Sequence, residues 1–143
     1  MEEYLQNQQE QLVDPNKPAL YSRNAILFMS IIFASIFGGW MLVQNLRRVG
    51  NVQAALSVGI FSILFFILTL VLAMLPAKPI PFIGIGLNYI GGKILADYFL
   101  RTLIPGSGLY PKKSVWIPVI ISLLISGIMI AIAAPQLFPA VAK

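Results

Sequence analysis

Long apolar runs separated by short polar breaks form the dominant pattern of this chain. The runs lie near residues 24–46, 54–75, 80–101 and 115–134. A helix of about 20 uncharged residues is roughly 30 Å long, which matches the hydrocarbon core of a bilayer. The pattern therefore predicts an all-α integral membrane bundle of four transmembrane helices at these positions.

The third run differs from the others because it carries charge. Its uncharged part, 80–92, is too short to span a bilayer alone, and Lys93, Asp97 and Arg101 follow at intervals of four residues. On a helix these three side chains lie on one face with alternating sign. Charges near the end of a span can extend to the interface and pair, which lowers their cost. We expect this segment to cross the membrane, with an interfacial or re-entrant helix as the alternative.

Turn and capping residues punctuate the runs. Ser22 is suited to cap the first helix, and Gly50–Asn51 supplies the positive backbone angles that a tight turn requires. Three prolines within 76–81 predict the end of the second helix, and Pro135 predicts the end of the fourth. These signals divide the transmembrane domain, 23–143, into two helical hairpins.

The first 22 residues have a different composition from the rest of the chain. They are rich in glutamine and hold four of the five acidic residues. We expect this acidic tail, 1–22, to be solvent-exposed, either disordered or a short polar helix that ends before Asp14–Pro15.

Overall composition supports a membrane protein and excludes most catalytic chemistry. Hydrophobic residues make up 58% of the chain and charged residues 10%, whereas about a quarter of the residues in soluble domains are charged. The absence of Cys and His excludes disulfides, Cys/His zinc sites and Ser-His catalysis. We expect no enzyme activity, no cofactor and no metal site. The net charge of +5 is dispersed along the chain, so nucleic acid is not an expected partner.

The three charged residues of the third run, Lys93, Asp97 and Arg101, which we call the charged ladder, are the candidate polar site. Ionisable residues within a membrane segment are functional candidates by default. Three interpretations are open: structural pairing, a site for a polar or anionic ligand, and ion or proton transfer. The candidate residues are the ladder and three nearby amides: Lys93, Asp97, Arg101, Asn88, Gln44 and Asn45.

Four glycines are predicted to be helix contacts, because small residues let membrane helices approach closely. They are Gly38, Gly39, Gly91 and Gly92. The glycines within 84–93 superficially suggest a phosphate loop, but the spacing and the hydroxyl residue of that motif are missing.

The glycine pairs also suggest an internal repeat. Residues 36–48 align with 89–101 so that both pairs and the arginines at 48 and 101 coincide. We interpret this as two duplicated helical hairpins, with chance similarity as the alternative. The repeat places five basic residues on one side and four on the other, which favours cytoplasmic hairpin turns and external termini.

Several short motifs support a resemblance. They are Leu20-Tyr21-Ser22, Phe37-Gly38-Gly39, Asn45, Gly86-Leu87-Asn88, Gly91-Gly92 and Tyr98-Phe99. With these motifs the chain resembles small multi-spanning bacterial inner-membrane proteins of unassigned function. The resemblance implies a multi-pass protein of the bacterial inner membrane and supplies no activity or site.

Together these features predict a non-enzymatic polytopic membrane protein. We expect it to contact the lipid bilayer and to act as a structural or accessory subunit, packing with itself as a homo-oligomer or with a larger membrane complex. The alternative is a transporter or channel component for a small polar or anionic solute.

Overall fold

The computed structural model describes residues 1–75, 80 and 82–137, and these residues are helical apart from connecting loops. The helices are α1 (Glu2–Gln11), α2 (Arg23–Phe33), α3 (Ser35–Arg48), α4 (Val52–Met74), α5 (Ile83–Lys93), a π-helical segment (Ile94–Phe99), α6 (Leu100–Leu103), a short 3-10 helix (Ser107–Leu109) and α7 (Trp116–Leu137). The all-α prediction is confirmed for this part of the chain. The predicted proline break at 76–81 lies outside the described residues except for Ile80.

Two helices of the described chain, α4 and the Trp116–Pro135 part of α7, are long and apolar enough to cross a membrane. They match the runs predicted at 54–75 and 115–134 to within a few residues. The predicted stop at Pro135 is wrong, because α7 continues to Leu137. A proline this close to the end of a helix removes one backbone hydrogen bond without preventing the last turn.

The first apolar run does not form one helix, so the prediction of a single helix over 24–46 is wrong. The chain breaks at Ala34 and reverses, so that α2 and α3 lie side by side as a hairpin. A Cβ added to Gly38 would stand 2.8 Å from the carbonyl oxygen of Ile26. In a straight helix, residues twelve apart would be separated by about 18 Å along the axis.

Ala34 makes this reversal with an unusual backbone conformation. Its φ is 96° and its ψ is 153°, a region that is occupied almost only by glycine. Neither Gly nor Pro stands at this position, so the sequence carries none of the usual signals of a turn.

The third run does form a continuous helical stretch, from Ile83 to Leu103, and includes the range predicted near 80–101 apart from its first residues. Within it, Ile94–Phe99 is wound as a π-helix. The backbone angles at the junctions, Lys93 and Leu100, are those of an α-helix, so the π-helical segment does not interrupt the stretch.

The N-terminal tail is exposed only in part. Its first half forms α1, and the side chains described in that helix are exposed. Leu20 and Tyr21, in contrast, are 3% and 2% exposed and belong to the core. The prediction that residues 1–22 are solvent-exposed throughout is therefore wrong at their C-terminal end. Ser22 caps α2 as predicted, and its Oγ accepts a hydrogen bond from the backbone N–H of Ala25.

The two segments of the suggested repeat, 36–48 and 89–101, run in the same direction, but the helices that follow them pack differently. The helix after the first segment, α4, packs along α3, whereas the helix after the second segment, α7, packs on α2 and α3. Gly50 adopts the positive φ predicted for the first turn, and Asn51 instead caps α4 by accepting a hydrogen bond from the N–H of Ala54.

We predict that Ala34→Gly stabilises the protein. Alanine in this conformation costs on the order of 1–3 kcal/mol, and glycine avoids the strain at an entropic cost of about 0.5–1 kcal/mol. The net gain should be about 1 kcal/mol in the free energy of unfolding, measured by denaturant titration in detergent. Ala131→Gly, on the exposed side of α7, serves as the control and should lose about 0.5–1 kcal/mol. A loss of stability in both variants would show that the conformation at Ala34 is not strained.

Candidate functional site

Close contacts at glycine bind the hairpin to its neighbours. A Cβ on Gly39 would meet Ser62 Oγ of α4 at less than 2 Å, and a Cβ on Gly38 would collide with Ser30 of α2. All four of these residues are buried. The backbone of α3 therefore rests directly on a serine of α2 and on a serine of α4.

The second glycine pair makes equivalent contacts from α5. A Cβ on Gly91 would stand 2.5 Å from the ring of Phe65 and 2.9 Å from Ser35 Cβ, and a Cβ on Gly92 would stand 2.7 Å from Ser30 Cβ. Both glycine pairs thus lie where helices touch, and Ser30 is shared between them. Small residues at these positions let α2, α3, α4 and α5 converge around the reversal at Ala34.

Several polar groups lie close together at the tip of the α2–α3 hairpin. The N–H of Ser35 donates a hydrogen bond to Oδ1 of Asn88 on α5 at 3.3 Å. The hydroxyl of Ser30 donates to the carbonyl of Ile26, as is usual for serine inside a helix. Ser35 Oγ is fully buried and has no hydrogen-bond partner among the described residues. Asn88 therefore satisfies one backbone group that the reversal leaves free, and Ser35 keeps an unused hydroxyl.

The charged ladder is only partly the one that the spacing predicts. Asp97 forms ion pairs with Lys93 on its own helix and with Arg23 at the start of α2, each with an N–O distance of 2.5 Å. The spacing of four residues also predicts that Asp97 pairs with Arg101, but Arg101 is exposed and forms no ion pair within the described part of the chain.

The fold explains this change of partner. Because α2 runs antiparallel to the α5–α6 stretch, its first residue, Arg23, lies level with Asp97, just as Ser30 lies level with Gly92. Asp97 points toward α2, and the Nε–H of Arg23 donates to its carboxylate. The carboxylate therefore joins two segments that are 74 residues apart in sequence.

The amides at Gln44 and Asn45 have separate roles. Asn45 is completely buried and pairs with the backbone of Tyr21: its Oδ1 accepts from the Tyr21 N–H at 2.8 Å, and its Nδ2 donates to the Tyr21 carbonyl at 2.9 Å. Gln44 accepts a hydrogen bond from Lys113 Nζ at 3.2 Å. Neither amide lies with Asn88, which is at the opposite end of the hairpin. Of the six candidate residues, only Lys93 and Asp97 are paired with each other, whereas Asn88, Gln44 and Asn45 each have a different partner.

Residues 19–23, which we call the connector segment, contact Asp97, Asn45 and the loop before α7 at the end of the molecule opposite the hairpin tip. The backbone of Leu20 exchanges two hydrogen bonds with the loop before α7, to the Pro111 carbonyl at 2.8 Å and from the Lys113 N–H at 2.7 Å. Arg48 donates to the carbonyl of Ala19. With the Asn45 pair and the Asp97 ion pair, the connector segment is tied to α3, to the third helical stretch and to the loop before α7.

The sequence did not indicate the contacts that Arg23 and Tyr21 make with Asp97 and Asn45. Arg23 resembles any basic residue flanking an apolar run, and nothing nearby in the sequence marks Asp97 as its partner. The signal for Asn45 is stronger, because an amide near the end of an apolar helix requires a hydrogen-bond partner once it is buried. Its partner is a backbone segment, which no residue pattern identifies.

The polar side chains of this region form hydrogen bonds and ion pairs. The part of the chain that the structure describes holds no group of three or more His, Cys, Asp or Glu side chains that could bind a metal ion. Asp97 is occupied by two cations, and the only other acids in the chain are in the first 14 residues. Among the described residues, the hydroxyls of Ser35 and Ser122 are buried without a hydrogen-bond partner, and Lys112 beside the connector segment forms no ion pair.

We predict energetic coupling between Asp97 and Arg23. Asp97→Asn and Arg23→Gln should each lower the thermal stability in detergent, because each leaves a partner without its opposite charge. The double variant should lose less than the sum of the two, and the same should hold for Asp97 with Lys93. Arg101→Gln is the matched control and should be additive with Asp97→Asn. Coupling to Arg101 as large as coupling to Arg23 would contradict the observed pairing.

Comparison of the chain with protein-family models, with curated proteins and with solved structures finds no match in any of the three.

Proposed function

We propose that this chain is a polytopic protein of the bacterial inner membrane. In this arrangement α4, the α5–α6 stretch and α7 cross the bilayer, and the α2–α3 hairpin enters it part way. The support is the exposure of apolar surface: only 22% of the apolar window of α4 and 11% of that of α7 is buried. Soluble proteins rarely expose continuous apolar surfaces of this size, and a bilayer would cover them.

Helix lengths support the partial insertion of the hairpin. At 1.5 Å per residue, α2 is about 16 Å long, or roughly half of a hydrocarbon core. The α5–α6 stretch is about 30 Å long and reaches across. The tip of the hairpin then lies inside the hydrocarbon core, where a free peptide group costs several kcal/mol. The hydrogen bond from Ser35 to Asn88 is the kind of partner that such a tip requires.

The positions of the basic residues favour one orientation. The reversal at Ala34 brings the N-terminal tail to the same end as the turn after α3 and the loop before α7. Lys93 lies inside the third helical stretch, and the other described basic residues lie at this end: Lys17, Arg23, Arg47, Arg48, Arg101, Lys112 and Lys113. Lys78 and Lys143 are outside the described residues. By the positive-inside rule, this end faces the cytoplasm.

This proposed orientation differs from the sequence-based expectation, in which both termini are external. With three crossings, the N-terminal tail is cytoplasmic and the C-terminal end of α7 is external.

Within the membrane, the chain acts as a non-catalytic subunit that packs against another transmembrane helix. The observation that carries this role is an apolar groove of about 820 Å³ between α7 and the tip of the hairpin. Aromatic side chains line one wall, and α7 supplies the other: Phe33, Phe37, Trp40 and Phe66 face Ile121, Ile125, Met129 and Ile130. Aromatic residues are enriched at the cores of protein interfaces, where they provide large rigid contact areas.

A transporter or channel component is the second candidate function. It is favoured by the broken α2–α3 segment, because broken helices place helix ends and free polar groups near the centre of the bilayer. Ser35 Oγ, which has no partner among the described residues, lies at such a position beside Asn88. Solute flux in vesicles that is lost in Asn88→Leu and retained in Gln44→Leu would favour this function over the subunit role.

We predict that the N-terminal tail and the turn after α3 lie on the same, cytoplasmic side. Because the chain has no cysteine, single-cysteine variants give an unambiguous readout with a membrane-impermeant thiol reagent. Leu12→Cys and Gln53→Cys should react only after the membrane is permeabilised, and Ile80→Cys should react in intact cells. All three side chains are exposed. Reaction of Leu12→Cys together with Ile80→Cys in intact cells would instead support four full spans.

The subunit role predicts a stable complex in mild detergent that depends on the groove. Ile125→Trp should fill the groove and weaken association by about tenfold or more, since overpacking a fitted surface costs about 1–3 kcal/mol. Leu124→Trp, one residue away and not lining the groove, is the control and should associate like the wild type. Mass photometry of the purified protein measures both. A monomeric wild type with no co-purifying membrane protein would contradict the subunit role.

A further inference from the structure

A cavity of about 340 Å³ opens at the basic end of the molecule, between the connector segment and the loop before α7. Its lining is mainly polar or aromatic and includes Ser22, Arg23, Asn24, Ser107, Tyr110 and Lys112. The residues that line the cavity therefore carry hydroxyl, amide, ammonium and guanidinium groups. This set of donors suits the oxygens of a phosphate group.

The charges around the cavity are mostly positive. Lys112 is exposed and forms no ion pair within the described chain. Arg23 uses Nε on Asp97 and Nη1 on Asn24, which leaves donors of Nη2 without a described partner. Two more cations stand over the tyrosines of the lining: Lys17 Nζ is 4.8 Å from the ring centre of Tyr110, and Lys113 Nζ is 4.7 Å from that of Tyr21.

The nearby carboxylates do not cancel this field. Asp97 is shared between Arg23 and Lys93. Asp14, whose backbone is bonded to Leu109, turns its carboxylate to the N–H of Asn16. Neither carboxylate lines the cavity, whereas Arg23 and Lys112 do, so an anion is favoured over a positively charged headgroup.

A second cavity of about 360 Å³ continues from the first along the surface of α2. Asn24 lines both cavities, and the second is otherwise apolar, lined by Ala25, Phe28, Met29, Val115 and Val119. It lies between the first turns of α2 and α7. From Asn24 to Met29 it extends about 7 Å toward the hydrocarbon core, at 1.5 Å per residue.

We propose that the two cavities together bind one anionic phospholipid of the cytoplasmic leaflet. The phosphate lies between Lys112 and the free donors of Arg23, and the upper part of an acyl chain lies in the apolar cavity. A free phosphate would use only the first cavity, whereas an amphiphile uses both. This inference rests on the proposed membrane placement, which puts the connector segment at the lipid headgroups.

The test is a lipid titration of the whole purified protein, delipidated in a neutral maltoside detergent. Phosphatidylglycerol and phosphatidylcholine with the same acyl chains are the probes, and native mass spectrometry counts the bound lipids. We expect one phosphatidylglycerol to bind about tenfold more tightly than phosphatidylcholine, because both lipids carry the phosphate but phosphatidylcholine adds a choline cation, which Arg23 and Lys112 at the cavity repel. Soluble glycerol phosphate should compete poorly, because it lacks the acyl chain.

Matched variants locate the site. Lys112→Ala should lose about tenfold in phosphatidylglycerol affinity, whereas Arg47→Ala, an exposed cation at the same end that lines neither cavity, should bind like the wild type. Ala25→Trp should fill the apolar cavity and weaken both lipids. The comparison of Lys112→Ala with Arg47→Ala decides by itself if Ala25→Trp does not fold, because both basic side chains are exposed.

Three results would overturn the inference: equal binding of the two lipids, equal losses in Lys112→Ala and Arg47→Ala, or competition by glycerol phosphate as effective as that by the lipid. The last result would indicate a site for a soluble anion. The thiol-labelling experiment separates this inference from the membrane placement: if labelling supports three crossings and the lipids bind equally, only the lipid site is rejected.

Discussion

The reversal of the chain at Ala34 is the constraint on which the rest of the structure depends. It converts one apolar run into two short helices whose outer ends meet at the connector segment, where the backbone of Tyr21 pairs with Asn45. The strained backbone of a single alanine is tolerated because the surrounding contacts fix it from several sides. The glycines at 38, 39, 91 and 92 let the neighbouring helices close around the tip, and Asn88 supplies the hydrogen bond that the turn lacks.

The hairpin tip and the connector segment therefore differ in both charge and packing. At the tip of the hairpin, contacts are small, close and almost neutral, with serine hydroxyls placed against glycine backbones. At the connector segment, contacts are polar and long-range in sequence, and join α2 to Asp97, α3 to Tyr21 and the loop before α7 to Leu20. The contacts at the tip bring the helices together, and the contacts at the connector segment fix their register. The proposed lipid site lies at the connector segment, because the basic residues that can still bind an anion are there.

Sequence reasoning predicted the features that depend on composition and length. The helical class, the bounds of α4 and α7 to within a few residues, the cap at Ser22 and the turn at Gly50 all follow from local chemistry. The reversal could not be predicted, because Ala34 is surrounded by helix-compatible apolar residues and nothing at that position favours a positive φ. The partners of Asp97 were predicted from spacing within one helix, which identified Lys93. Arg23 reaches Asp97 only because the hairpin folds back, so this pair depends on the unpredicted feature.

The hairpin also has a consequence for biosynthesis. Residues 24–46 leave the ribosome as an apolar stretch long enough to be inserted as a full span. If it crossed the bilayer straight, Arg47 and Arg48 would emerge on the outer side. Returning each guanidinium group through the hydrocarbon core would then meet a barrier of about 2.5–3.5 kcal/mol or more. In the proposed placement the bend at Ala34 must therefore form while this stretch leaves the insertion machinery, so the decision between three and four crossings is made by folding during insertion and not afterwards.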